Sequence, residues 1–180
     1  MFVPAHGSSA DQSSLKGTTL VISCMGMGMS PLIGMDLCLL NGGMQKLGYY
    51  KSEYVAAVLI NDSLTRAGEA MGQCQMPVEF WLSADKSKTF MIMRSSVHSG
   101  KMRPFCSELT KFVEAQGFKD VAILTATGSP VGRERQSNRQ IPEVFAYCNN
   151  FLWKQDPEWY NKNGIRKFGW WVEEVKKRPH

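Results

Sequence analysis

Residues 18–25, "TTLVISCM", are β-branched and apolar without alternation, the pattern of a strand covered on both faces. A strand of that kind sits inside a sheet whose faces are closed by helices. The run therefore points to an α/β fold before anything else is read.

The next residues support this. "GMGMSPLIGMD" places glycines at a tight strand-to-helix turn, with Ser30 as an N-cap and Pro31 at the first helical position, where a missing N–H costs nothing. Ile33, Leu37, Leu40, Met44 and Leu47 follow at helical spacing and predict one buried stripe. Gly42 and Gly43 weaken the last turns by about 1 kcal/mol each relative to alanine, and Gly48 is placed to end the helix. "EYVAAVLIND" from Glu53 then reads as a second strand, which makes a strand-helix-strand unit with a right-handed crossover.

Further on, "MPVEFWLS" and "KTFMIMRSSV" are strand-like runs joined by the polar "ADKSK", an antiparallel hairpin. "RPFCSELTKFVEAQG" predicts a helix that starts near Pro104, carries Phe105, Leu109, Phe112 and Val113 on one face and stops at Gly117. "KDVAILTATG" follows as another buried strand. Residues 128–140 read as a polar loop, with helices expected over 142–152 and 168–178. The expected architecture is a three-layer sandwich, with helices flanking a mixed, largely parallel sheet. One domain spans 18–180 behind a polar leader at 1–17.

The totals narrow the class. At 180 residues and 43% hydrophobic content the chain suits one core of ordinary size. No apolar run approaches the roughly 20 residues of a membrane span, and the N-terminus lacks the basic start and apolar stretch of a secretory signal. The expected compartment is the cytoplasm, with the nucleus as a second. Five cysteines, odd in number and without a C-x-x-C pair, read as reduced and mostly buried thiols. The net charge of +5 gathers toward the C-terminus, where residues 151–180 hold seven basic residues, four acidic ones and four of the five tryptophans. That pattern can bind single strands; an amphipathic helix with packed aromatics is the commoner cause, so neither nucleic acid nor membrane is an expected partner.

Enzymatic patterns are sparse. A dinucleotide loop needs a third glycine where Pro31 stands, and no Gly-Lys-Ser/Thr follows for a phosphate loop. Cys24, Met25, Met27 and Met29 offer soft sulfur for Cu(I), but three methionines on one strand face are more often core. Of three histidines only His98 lies away from the termini. Ser95, His98 and Arg103 are the one set able to gather around phosphate. Asp36 has no acidic neighbour for acid/base work and is read as a partner of the helix dipole.

Several stretches, taken in order, resemble the proteasome assembly chaperone 2 family: "MFVP" at the start, "GMSPLIGMDL" with "KLGYY" after it, the hairpin end "MRS", and "RPFCSELTKFVEAQGFKDVAIL". The likeness covers about residues 1 to 155. It implies a non-enzymatic chaperone without cofactor or metal. Such a chaperone pairs with a proteasome assembly chaperone 1-like protein and holds the α-subunits of the 20S proteasome while their ring forms. It also implies a fold like the nucleoside phosphorylases without their active site. The family carries Val-Gly where Ser30 and Pro31 stand, and some members end in a hydrophobic-Tyr-X tail that docks on the α-ring. This chain ends "KKRPH" and is expected to be shortened there. Candidate contacts are Met27, Gly28, Met29 and Ser30 in the first loop and Arg133, Arg135 and Arg139 in the polar one, because exposed loops on a rigid scaffold carry recognition. The competing reading is a nucleoside- or nucleotide-binding enzyme on the same framework, with its pocket near Gly26 to Ser30 and Ser129.

Overall fold

The computed structural model describes residues 1–5, 12–58, 60–61, 74–126, 144–146, 158, 162–163 and 165–167. Its elements are β1 (Phe2–Pro4), β2 (Thr19–Ser23), α1 (Ser30–Asn41), β3 (Gln45–Tyr50), β4 (Ile60–Asn61), β5 (Cys74–Gln75), β6 (Val78–Leu82), β7 (Lys88–Met93), α2 (Met102–Gln116), β8 (Asp120–Leu124), β9 (Val144–Ala146) and β10 (Ile165–Lys167). The chain divides into two compact units, Met1–Gly128 and Ser129–His180.

In the first unit six strands form one sheet in the order β1-β3-β6-β7-β2-β8. The apolar run is β2, paired in parallel with β7 on one side and β8 on the other. The expected hairpin is β6 and β7, with Phe80 opposite Met91 and Trp81 opposite Phe90. Its turn is held by Asp85, whose carboxylate accepts bonds from the hydroxyls of Ser83 and Ser87 and from the Ser87 N–H. Those bonds keep the Asp85 carboxyl well below the usual carboxylate range.

A hairpin with so short a connection is necessarily antiparallel, and this one inserts between β2 and β3. The β1–β3, β3–β6 and β6–β7 pairings are all antiparallel. The sheet is therefore mixed, and only its β7-β2-β8 end is parallel, so the largely parallel expectation does not hold.

The crossover helix is present but shorter than its sequence pattern suggests. It stops at Asn41, where the Gly42 N–H bonds the Cys38 carbonyl at 2.8 Å and Gly43 takes φ 57°. Two adjacent glycines outweigh the continuing apolar spacing, so Leu47 and Gly48 belong to β3. The strand expected from Glu53 is instead reduced to the two residues of β4, which pairs with β5. The second sheet strand is β3 itself.

The two faces of the sheet are closed differently. On one, Met35 and Leu39 of α1 pack with Phe90 and Ile92, with Val21 and Trp81 alongside. On the other, Phe105, Leu109, Phe112 and Val113 of α2 cover Leu20, Ile22, Phe80 and Met91. Rings stack edge-on through this second layer, with Phe80 5.7 Å from Phe2 and Phe112 5.1 Å from Tyr50. The Tyr50 hydroxyl donates to Glu108 of α2 at 2.7 Å. Burial, together with that carboxylate, raises the Tyr50 pKa above its ordinary value.

Part of the segment read as a polar leader belongs to the sheet. Phe2 is buried, β1 pairs with β3, and Leu15 is fully buried at the end of a 3-10 turn. β8 differs in the other direction. It was expected to be buried, yet among the described residues it ends the sheet, and Ile123 is 62% exposed with Val121 and Leu124 also open. A continuous apolar run marks a strand with two apolar faces and does not say whether both are covered.

In the second unit β9 and β10 pair in parallel, Ile165 opposite Val144. Residues 144–146 are thus strand where a helix was expected. The predicted loop at 128–140 and helix at 168–178 lie outside the described residues. Among the described residues no helix is long and apolar enough to cross a membrane.

Gly48 gives the edge of the sheet a direct test. A Cβ there would collide with the Val3 carbonyl and lie 2.9 Å from the Phe2 ring, at the point where β3 shifts register against β6. Gly48→Ala is expected to cost about 1–3 kcal/mol in denaturant unfolding, because backbone must move. Hydrogen exchange should rise in β1 before it rises in β7.

Candidate interaction surface

The loop that leads from β2 into α1 is shaped by backbone constraints. A Cβ on Gly26 would collide with the Ala126 backbone, so this position admits only glycine without rearrangement. Gly28 and Met29 both take left-handed φ, 71° and 51°, and the Met29 N–H bonds the Gly26 carbonyl at 3.1 Å. The cap residue is thus Met29, not Ser30, and no side-chain bond closes the helix end. A left-handed methionine carries about 1–2 kcal/mol of backbone strain, and Met29 is 49% exposed.

From that loop α1 turns an unexpected face outward. Ile33 and Leu37, read as part of the buried stripe, are each 54% exposed, whereas Met35 is 2% exposed and Leu39 is buried with it. The helix is apolar almost all round, so periodicity alone left its rotation open.

An ion pair sets that rotation. Asp36 receives both guanidinium nitrogens of Arg94, at 2.5 and 3.1 Å, and the two side chains are 18% and 3% exposed. Arg94 follows the last residue of β7, so the pair ties the helix to the middle of the sheet. Sequence reading assigned Asp36 to the helix dipole and missed this partner. The available signal was a lone acid within an otherwise uncharged apolar helix, a residue seldom buried unless paired.

The other candidates fall as follows. Met27, Gly28, Met29 and Ser30 share the loop and helix start, with Gly28, Met29 and Ser30 exposed. Arg133, Arg135 and Arg139 lie outside the described residues, as does Ser129 of the competing pocket. Ser95 is buried and gives its hydroxyl to the Ala56 carbonyl at 2.7 Å, while His98 and Arg103 are exposed. A hydroxyl already bonded to backbone is not free to hold phosphate. Cys38 and Cys106 are exposed, contrary to the buried thiols expected. Cys24 is half-buried, and burial pushes its thiol pKa up.

The described residues thus define a mixed α/β framework that presents an uncharged apolar helix face. In sequence, the chain is similar to proteasome assembly chaperone 2. It is 23% identical to that protein of Nematostella vectensis over 128 residues, 26% to that of Bos taurus over 129, and 25% to that of Homo sapiens over 129. These matches take in 70–72% of this chain and 48–52% of the relatives, so the chain spans about half the length of the curated relatives it matches. No family profile matches the sequence. Among solved structures, a Thermoplasma acidophilum protein of unknown function aligns with a TM-score of 0.59 at 13% identity, over 88% of this chain and 58% of that one. Pyrococcus furiosus PbaA, described as an archaeal homolog of proteasome-assembly chaperone, aligns with a TM-score of 0.57 at 11% identity, over 86% and 60%. The family resemblance seen in the sequence is therefore matched by curated relatives, and the fold is shared with PbaA.

Asp36→Asn is expected to destabilise the chain by about 3–5 kcal/mol, because it leaves a buried guanidinium without its counter-charge. Equilibrium unfolding in urea measures this. A loss under 1 kcal/mol would show, on the order expected for exposed pairs, that the pair does not hold α1.

Proposed function

We propose that the chain is a non-enzymatic chaperone of proteasome assembly. On this reading it pairs with a proteasome assembly chaperone 1-like protein, holds 20S α-subunits as their ring forms, and works in the cytoplasm and nucleus. The observation that carries the reading is the similarity to proteasome assembly chaperone 2 across 70–72% of the chain. The open, uncharged face of α1 supports it, since an exposed apolar helix face favours protein recognition over solvent. The framework we infer is that of the nucleoside phosphorylases with the catalytic groups absent and no cofactor.

Affinity purification of the tagged full chain from its own cells tests the reading. A chaperone 1-like subunit and α-subunits are expected in near-equal amounts, and depletion of the chain should reduce α-ring intermediates on native gels. Unchanged intermediates, with neither partner recovered, would sink the idea.

A further inference from the structure

β2 and β7 lie side by side in parallel, yet the chain leaves them on opposite faces of the sheet. β2 runs on into α1, which packs on Phe90 and Ile92, and β7 runs on into α2, which covers Leu20 and Met91. Where two neighbouring strands send their chains to opposite faces, a crevice opens outside their carboxyl ends. Two buried side chains stand at that point, each with a polar atom that nothing answers.

Ser23 is the last residue of β2 and pairs with Ile92, two residues before Arg94. Side chains alternate along a strand, so Ser23 shares the α1 face with Val21, and Arg94 reaches the same helix through Asp36. The Ser23 hydroxyl is fully buried and has no hydrogen-bond partner among the described residues. Arg94 gives Nη1 and Nη2 to Asp36, whereas its Nε–H is withdrawn from water and lacks an acceptor there. Buried polar groups are nearly always bonded, so two orphans on neighbouring strands need a cause. The start of α1 adds donors of the same kind. The first N–H groups of a helix have no partner within it, and here no side chain caps them.

We propose that this crevice, at the carboxyl ends of β2 and β7 beneath the start of α1, binds a small oxyanion, the carboxylate or phosphate group of a small molecule. Each unanswered group in it is a donor or can act as one, so the ligand is an acceptor with more than one oxygen. One oxygen takes the Ser23 O–H and the Arg94 Nε–H, and another takes the N–H groups at the helix start. The positive end of the α1 dipole favours negative charge at the same place. Asp36 already balances the charge of Arg94, so hydrogen bonds and the helix end hold the ligand, and a compact group is preferred to a polyanion. Both orphan atoms are shut off from water, and the ligand enters as the exposed loop from Gly28 to Ser30 swings aside. This site belongs to the chain alone, and its test is independent of the chaperone reading.

Thermal unfolding and NMR of the purified full chain provide the test, with inorganic phosphate and acetate added separately and ionic strength held constant with chloride. A saturable rise in Tm is expected with at least one of the two, which identifies the group bound, together with a shift of the Arg94 Nε–H resonance. Ser23→Ala should fold with an unchanged or higher Tm in the absence of ligand, because the hydroxyl it removes has no partner. The same variant should bind about tenfold more weakly, the worth of one hydrogen bond. A Tm that responds no more to phosphate or acetate than to chloride overturns the proposal. So does binding that survives Ser23→Ala undiminished.

Discussion

Arg94 reaches from the end of β7 to Asp36 on α1, and both side chains of this contact are largely withdrawn from water. A buried guanidinium without its carboxylate costs about 3–5 kcal/mol. The helix has two apolar faces to choose between, Met35 with Leu39 or Ile33 with Leu37, and each would gain about the same from burial, 1.5–3 kcal/mol per side chain. Hydrophobic burial therefore barely discriminates between the two rotations. Turning α1 to bury Ile33 and Leu37 would swing Asp36 away from Arg94, so the electrostatic term decides. What the protein shows to its surroundings along α1 follows from one polar contact beneath it.

A second internal ion pair works at the middle of the sheet. Glu79 of β6 is fully buried and accepts bonds from Lys46 at 2.9 Å, from the Met76 N–H at 3.0 Å and from the Trp81 indole at 3.2 Å. The Lys46 ammonium also lies 4.9 Å from the Trp81 ring centre. These contacts hold β3 against β6 beside the register shift at Leu47. A polar contact that is satisfied on several sides fixes register more sharply than interchangeable aliphatic groups can.

Local signals were read most reliably where one residue dominates the backbone. The hairpin from Val78 to Met93 was plain because two strand-like runs flank a short polar turn. The end of α2 at Gly117 was plain because that residue takes φ 67°, which other residues avoid. The end of α1 was misplaced because the spacing of Met44 and Leu47 continued past two glycines that stop the helix. The cap was placed one residue late, since a left-handed methionine is a poor guess from sequence. Of the candidate surface, the exposed loop at Gly28 to Ser30 was anticipated, but Met25 and Met29, read as core, are 41% and 49% exposed because the strand ends at Ser23 before them. The outward turn of Ile33 and Leu37 was not, because an almost wholly apolar helix has no unique period.

By itself, the sequence determined that β2 is a buried inner strand, that helices must close both faces of its sheet, and that the chain resembles proteasome assembly chaperone 2. Each rests on residues close together in the chain, or on ordered segments that comparison can match. Only the tertiary structure decided that β8 is the last described strand of the sheet with its apolar side chains open, that the hairpin stands between β2 and β3, and that α1 turns an uncharged face outward. Those outcomes depend on partners far apart in sequence, above all Asp36 and Arg94, separated by 58 residues. No local pattern encodes such a contact, because the energy that selects it exists only once the chain has brought the two ends together.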